Sequence, residues 1–458
     1  MLFHTWVFAA FFAVVLLGHV RLRHTPAGNA WLLVASYVFY GWWNPLYLVL
    51  IVGSTALDFA VAARIPGSAR PRAWLVLSLV ANLGLLGFFK YAGFVTDNVN
   101  ALLLPLGWQL PAPDVLLPVG ISFFTFQSMS YTIDVYRGQL QPEPSFVRFA
   151  AFVALFPQLV AGPIERASHL LPQLRAAPRL GADDFAVGAG LFVQGLFKKV
   201  VLADWLAQYV DRVYAAPAEF QAPALWAATF AFAWQIYFDF SGYTDMARGV
   251  ARSLGYRLMV NFDRPYTAVD LGDFWRRWHI SLSTWFRDYV YVPLGGNRRG
   301  RGRMLANVAV TMVLSGLWHG AAWGFLLWGA LHAVGRIATL PLERSAFYRE
   351  RVPTLLKQAW VFLFVTLAWV PFRAPEWATA GVVYRRMFTA GAGDAQFPLL
   401  LAAMVLLVWA LQLLAAAGVT LRAMPLRRPL RVGLAAAMLL WLLAVARPAA
   451  APFLYFQF

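Results

Sequence analysis

Apolar residues in this chain run in blocks of about 14 to 20, long enough to cross or deeply enter a hydrocarbon layer about 30 Å thick. The first block, Leu2 to His19, is followed by Arg21, Arg23 and His24. A secretory signal carries its charge before the apolar run and a small-residue cleavage site after it, so this block reads as a retained helix. Trp31 to Ala63 is interrupted at Asn44-Pro45. Proline lacks a backbone donor and disfavours helix in the residue before it, which predicts two short crossings joined by a turn. Ala73 to Phe89 then crosses again, and the proline-rich stretch from Leu104 to Pro118 becomes a loop.

Arginines mark alternate connections: Arg21 and Arg23, then Arg64, Arg70 and Arg72, then Arg137 and Arg148. Later Arg336, Arg344 and Arg349, and finally Arg422, Arg427, Arg428 and Arg431, repeat the pattern. The positive-inside rule assigns these loops to the cytoplasm and the Asn44-Pro45 and Leu104–Pro118 connections to the outside. A last helix over Val432 to Ala446 leaves the C-terminus, like the N-terminus, extracytoplasmic. The predicted fold is an all-α polytopic membrane protein with about eleven to thirteen transmembrane or re-entrant helices in one integral membrane domain over 1–458. No internal repeat, heptad run or soluble domain is visible.

Ser241 to Met304 departs from this pattern, with eleven Arg, five Asp and no apolar run long enough to span. It is expected on, or dipping into, the cytoplasmic face. Within it, Leu271 to Val292 alternates Phe274, Trp275, Trp278, Trp285, Phe286 and Tyr289 with Arg276, Arg277, His279 and Arg287, a mixture that suits a half-buried interfacial helix.

Composition supports a membrane solvent: 60% of the residues are hydrophobic and only 13% charged, against roughly 25% charged in a soluble domain. The net charge of +17 raises nucleic acid as a partner, but its Lys and Arg lie in the connections, where topology accounts for them. No nucleic-acid partner is expected; the surrounding partner is lipid. Cysteine is absent, which excludes disulfides, thiolate metal sites and a cysteine nucleophile.

Among seven histidines, His4, His19 and His24 sit at the ends of the first block, as interfacial anchors do, and His169 and His332 have no evident partners. His319 differs. It lies in Ser315-Gly316-Leu317-Trp318-His319-Gly320, inside the apolar stretch from Leu305 to Leu331. An ionisable group at such depth is costly and points to function, with helix–helix hydrogen bonding as the structural alternative. Gly316, Gly320 and Gly324 allow a backbone or ligand to approach closely. His279, about 40 residues earlier in Trp275-Arg276-Arg277-Trp278-His279-Ile280-Ser281, is by itself as consistent with a structural role. Paired with His319 it would let one imidazole take a proton while the other orients a substrate or stabilises charge. Asp239, Ser241, Tyr243 and Asp245 follow an apolar run and read either as a polar entrance or as a capped helix end and turn. No hydrolase triad, Walker or dinucleotide glycine pattern, or metal-ligand histidine spacing appears.

Five segments together resemble the membrane-bound O-acyltransferase family, and within it the bacterial branch that includes alginate O-acetyltransferases. They are Leu117 to Gln127 (LPVGISFFTFQ), Phe156 to Ile164 (FPQLVAGPI), the Asp239 cluster, Asp273 to Ser281 (DFWRRWHIS) and Ser315 to Gly320 (SGLWHG), in the family's order. The resemblance implies acyl transfer from a thioester to a hydroxyl inside a tunnel formed by membrane helices. It implies His319 as the catalytic histidine and His279 as the second polar active-site position, with Trp318, Asp239, Ser241, Arg276 and Arg277 near the substrates. A base deep in a water-poor tunnel activates a hydroxyl while excluding the competing acceptor. Acetyl-coenzyme A is then a donor substrate arriving from the cytoplasm, no bound cofactor is expected, and Arg276 and Arg277 attract its phosphates, unless they serve topology alone.

The final Phe453-Leu454-Tyr455-Phe456-Gln457-Phe458 is similar to the aromatic C-terminal motif of family members that modify surface polymers, where the tyrosine is implicated as an acyl relay. A phenyl ester stays reactive enough to pass its acyl group on; an aromatic belt anchoring the last helix is the alternative. The expected protein is an O-acetyltransferase of the bacterial cytoplasmic membrane. It carries acetyl groups towards a surface polysaccharide, alginate or a related exopolysaccharide, with an extracytoplasmic SGNH, esterase-like acetyltransferase as partner. Peptidoglycan O-acetylation, D-alanyl transfer to teichoic acid, transfer of long acyl chains, and a lipid-linked glycan transporter without chemistry are the rival readings.

Overall fold

The computed structural model describes residues 1–113, 115–160 and 162–417. Helix accounts for every regular element among the described residues. Among the described residues, six helices are long and apolar enough to cross a membrane: Tyr47–Arg64, Pro71–Leu106, Ala182–Ala215, Trp323–Arg344, Thr354–Arg373 and Leu399–Ala416, with Trp6–Leu22 a shorter apolar helix. Val49, Val80, Leu102 and Leu399 are exposed on them. Such surface is unfavourable in water and at no disadvantage in lipid, where each helix satisfies its own backbone. The expected all-α polytopic membrane architecture is what the chain adopts. The expected last helix, Val432 to Ala446, lies outside the described residues.

Contacts divide the chain into two compact units, one of Met1–Phe192 with Tyr243–Met259, the other of Val193–Gly242 with the described residues from Val260 onward. In the first, the Asn44-Pro45 break separates Ala27–Gly41 from Tyr47–Arg64 as expected, and the Asn44 side chain accepts from the Leu46 N–H at 3.0 Å to fix the turn. The Ile121–Tyr136 helix is buried on nearly every side, so its hydroxyls and amide must find partners inside. Gln127 donates to the Phe152 carbonyl at 2.7 Å and Thr125 to that of Ile121 at 2.5 Å.

The second unit is built on a hairpin of Arg301–His319 and Trp323–Arg344, joined by three residues. Glycine sets its tightness: a Cβ on Gly316 would collide with the Phe325 carbonyl, and one on Gly329 with that of Met312. Around the hairpin packs an aromatic core containing Trp234, Trp278, Trp328, Trp369 and Phe372.

Two expectations for 241–304 need correction. The Asp239 cluster is no helix end, since Ala222–Ser253 runs as one helix of 32 residues through it. Gly242 and Gly249 let the helix lie against the backbone at Gly195 and Gly188. It stops only at Gly255 (φ 84), where the Tyr256 N–H closes back onto the Ala251 carbonyl at 2.9 Å. Nor is Leu271 to Val292 one interfacial helix. It breaks into Leu271–Arg277, Ile280–Phe286 and a widened turn over Arg287–Tyr291, with Trp278 and His279 fully buried at the break. His19 is likewise no surface anchor, being buried with Nε2 2.9 Å from the Leu254 carbonyl. His169 has a partner, the Glu165 carboxylate at 2.7 Å.

Candidate active site

His279 stands at the break in the 271–292 segment with a left-handed backbone, φ 42 and ψ 54. For a residue with a Cβ that conformation costs about 1–2 kcal/mol, so the surroundings must impose it. Asn261 does so from the facing chain. Its carbonyl accepts from the Ile280 N–H at 2.9 Å, and its side-chain oxygen accepts from the Ser281 N–H at 3.2 Å and hydroxyl at 2.9 Å. The Asp263 N–H donates to the Arg277 carbonyl at 3.0 Å on the other side of the kink. The turn aims the imidazole inward, against Phe240 with ring centroids 4.7 Å apart.

His319 is the last residue of the Arg301–His319 helix. Gly320 follows because a Cβ there would strike the Phe325 ring. The His319 ring is enclosed by Trp318, Trp328 and Phe372, at centroid distances of 5.1, 5.1 and 5.2 Å. His279 lies 6.3 Å from it, and Trp318 touches both rings. The two histidines, 40 residues apart in sequence, therefore share one aromatic chamber in which both are almost completely buried. Burial pushes the His279 imidazole down to about 3, which keeps it neutral at physiological pH.

The other expected residues divide. Trp318 belongs to the chamber. Asp239 is turned to Lys199, whose Nζ lies 2.7 Å from both Asp239 and Asp204, and Ser241 is buried on the same helix. Arg277 binds Asp273 at 2.9 Å, whereas Arg276, two-thirds exposed, reaches the Asp270 and Asp273 carboxylates only at 3.9 and 3.5 Å. Arg276 instead lines a cleft of about 340 Å³ together with Arg336, Arg344, Arg349 and Lys357, against the acids Asp270 and Glu343. Tyr455 lies outside the described residues.

Two features escape a reading of the sequence. Arg336, Arg344 and Arg349 register there as topology markers, yet in the fold they join Arg276 in the cleft; the spacing of Arg336 and Arg344 from Trp328 on one helix is the signal. Trp328 packs on His319, and Arg336 follows eight residues later, about 12 Å along the axis. His332, halfway between them, is fully buried against Trp275 and Trp328 at centroid distances of 5.0 and 4.9 Å. The helix thus runs from the histidine chamber to the basic cleft. Chemically, the chamber can take and return one proton in a water-poor space, and the cleft can hold an anionic group.

The chain is similar to known proteins over most of its length. The membrane-bound O-acyltransferase family model matches residues 134–370, which contain both histidines. The probable alginate O-acetylase AlgI of Pseudomonas aeruginosa is 43% identical over 398 residues, covering 85% of this chain and 75% of the relative. Its counterpart in Azotobacter vinelandii is 43% identical over 399 residues, covering 85% and 79%. A peptidoglycan O-acetyltransferase of Helicobacter pylori is 36% identical over 428 residues, covering 84% and 80%. A buried histidine pair in a helical membrane scaffold, a match spanning half the chain and relatives above 40% identity lead to one conclusion: this chain belongs to the membrane-bound O-acyltransferase family.

Proposed function

We propose that the protein takes acetyl from cytoplasmic acetyl-coenzyme A and delivers it for O-acetylation of a surface polysaccharide, alginate or a related exopolysaccharide. The observation that carries the chemistry is the pairing of His279 and His319 in one dry aromatic chamber. In the reaction, the acceptor hydroxyl oxygen attacks the thioester carbonyl while its proton passes to the His319 ring. The C–S bond then breaks, and the same proton goes to the departing thiolate, so the histidine ends neutral. His279, held neutral, orients the hydroxyl or donates towards the developing oxyanion. The cleft at Arg276, Arg336, Arg344, Arg349 and Lys357 is suited to the donor's phosphates. Tyr455 serves as the acceptor hydroxyl and passes acetyl to a separate extracytoplasmic SGNH, esterase-like transferase, from a chain seated in the bacterial cytoplasmic membrane with both termini outside.

The chain's similarity to the peptidoglycan O-acetyltransferase of Helicobacter pylori makes that polymer the second reading. Deleting the gene and complementing it with wild type or His319→Ala separates these readings. O-acetyl missing from exopolysaccharide, and restored by wild type only, supports the proposal. Loss from peptidoglycan supports the second reading. Polymer export restored by His319→Ala identifies a transporter instead.

A further inference from the structure

The unit of Met1–Phe192 with Tyr243–Met259 contains another polar cavity, of about 490 Å³, for which acyl transfer has no use. Arg23, His24, Arg148 and Arg175 line it, with His19 and Tyr256. The arginines and His24 come from three places that the fold brings together. Arg23 and His24 follow the Trp6–Leu22 helix, Arg148 sits in the first turn of Phe146–Ala154, and Arg175 ends Ala167–Arg175. The arginine pattern assigns this end of the first helix to the cytoplasm.

One carboxylate stands behind the arginines. Glu143, fully buried, accepts from Arg148 Nη1 at 2.6 Å and from Arg175 Nε at 2.9 Å. Arg23 makes no ion pair among the described residues; its Nε donates to His24 Nε2 at 2.9 Å. Three guanidinium groups face one acid, so the cavity keeps an excess of two positive charges. His19, only 1% exposed, closes the inner wall; its Nε2 donates to the Leu254 carbonyl at 2.9 Å, which leaves the guanidinium groups as the cavity's donors.

We propose that this cavity is a binding site for a phosphate group, carried by the headgroup of an anionic phospholipid or by a soluble phosphoester. Guanidinium forks match phosphate oxygens bidentately. Basic pockets between membrane helices on the cytoplasmic side receive anionic headgroups, and the volume suits a small ligand. The proposal does not rest on the proposed acyl transfer, since none of the residues lining this cavity is assigned to that chemistry.

The test uses the full chain with two probes. Inorganic phosphate is titrated against the protein in detergent, and retention of phosphatidylglycerol is measured against phosphatidylcholine in mixed nanodiscs. Arg23→Ala weakens binding by about tenfold, the loss of one charge-assisted contact. Glu143→Gln, which releases Arg148 and Arg175 from their acid, tightens it, and melting temperatures verify that both variants fold. Should Glu143→Gln unfold, Arg23→Ala decides alone, because Arg23 holds no buried partner. Tight phosphate binding in detergent identifies a soluble ligand; selective phosphatidylglycerol retention alone identifies a lipid headgroup. Wild type that binds neither probe, or an Arg23→Ala variant that binds as wild type does, overturns the proposal.

Discussion

The imidazoles of His279 and His319 face each other with centroids 6.3 Å apart and planes inclined by 48°. At that separation neither ring nitrogen can bond the other directly. His319 is presented by the end of a long apolar helix and His279 by a strained turn. Neither position tolerates drift, because each is fixed by packing on both sides. Under the proposed function, the acceptor hydroxyl would sit between the two rings.

Replacing His319 with Ala or Gln is therefore expected to lower acetyl transfer by about 10²–10⁴-fold, the usual contribution of a positioned general base. Donor hydrolysis and transfer rates measured beside melting temperature separate the roles. A histidine that only packed would lose stability and activity together.

His279 carries a pH signature. Its folded value is depressed to about 3 while the unfolded chain titrates near 6.5, so the folded state favours the neutral ring. The sign follows: this contribution to stability is complete above pH 6.5 and declines as pH falls below it. Melting curves from pH 8 to 4.5 should fall less steeply for His279→Asn than for wild type. Asparagine also tolerates the left-handed backbone, whereas His279→Val should destabilise the fold at every pH.

Much of this was legible in the sequence, and the misses have physical causes. Proline at 45, arginine spacing and block length reveal helices because each acts locally. His319 was visible because an ionisable residue is conspicuous within an apolar run. The break at His279 was not, since Asn261 imposes it from 18 residues away and nothing in Trp278-His279-Ile280 favours a turn. Asp239 read either as a polar entrance or as a helix end; its ion-pair partner Lys199 sits forty residues earlier, out of reach of local sequence patterns. The proposed relay Tyr455 rests on its motif alone.

The ion group of Lys199, Asp204 and Asp239 makes its own prediction. Lys199→Met strands two carboxylates, one of them almost fully buried, and should cost about 3–5 kcal/mol. Adding Asp239→Asn removes one of the stranded charges and should recover part of the loss. Thermal unfolding of the two variants in the same detergent measures the difference. Equal melting temperatures for the single and double variants would remove Asp239 from the pair.

Glycines divide sharply by position. Gly316→Val forces the histidine-bearing helix away from the Phe325 backbone and should abolish transfer along with about 1–3 kcal/mol of stability. Gly381 has open space around it on the Trp377–Thr389 helix, so Gly381→Ala should be neutral or stabilising by up to about 1 kcal/mol. Paired activity and melting measurements compare them.

The most direct test of the proposed chemistry is transfer of radiolabelled acetyl from acetyl-coenzyme A to the purified full chain, comparing wild type, His319→Ala and Tyr455→Phe. Label on Tyr455 in wild type that disappears in both variants is the predicted result. Label retained at the wild-type level in His319→Ala would contradict the assignment of that histidine as the base.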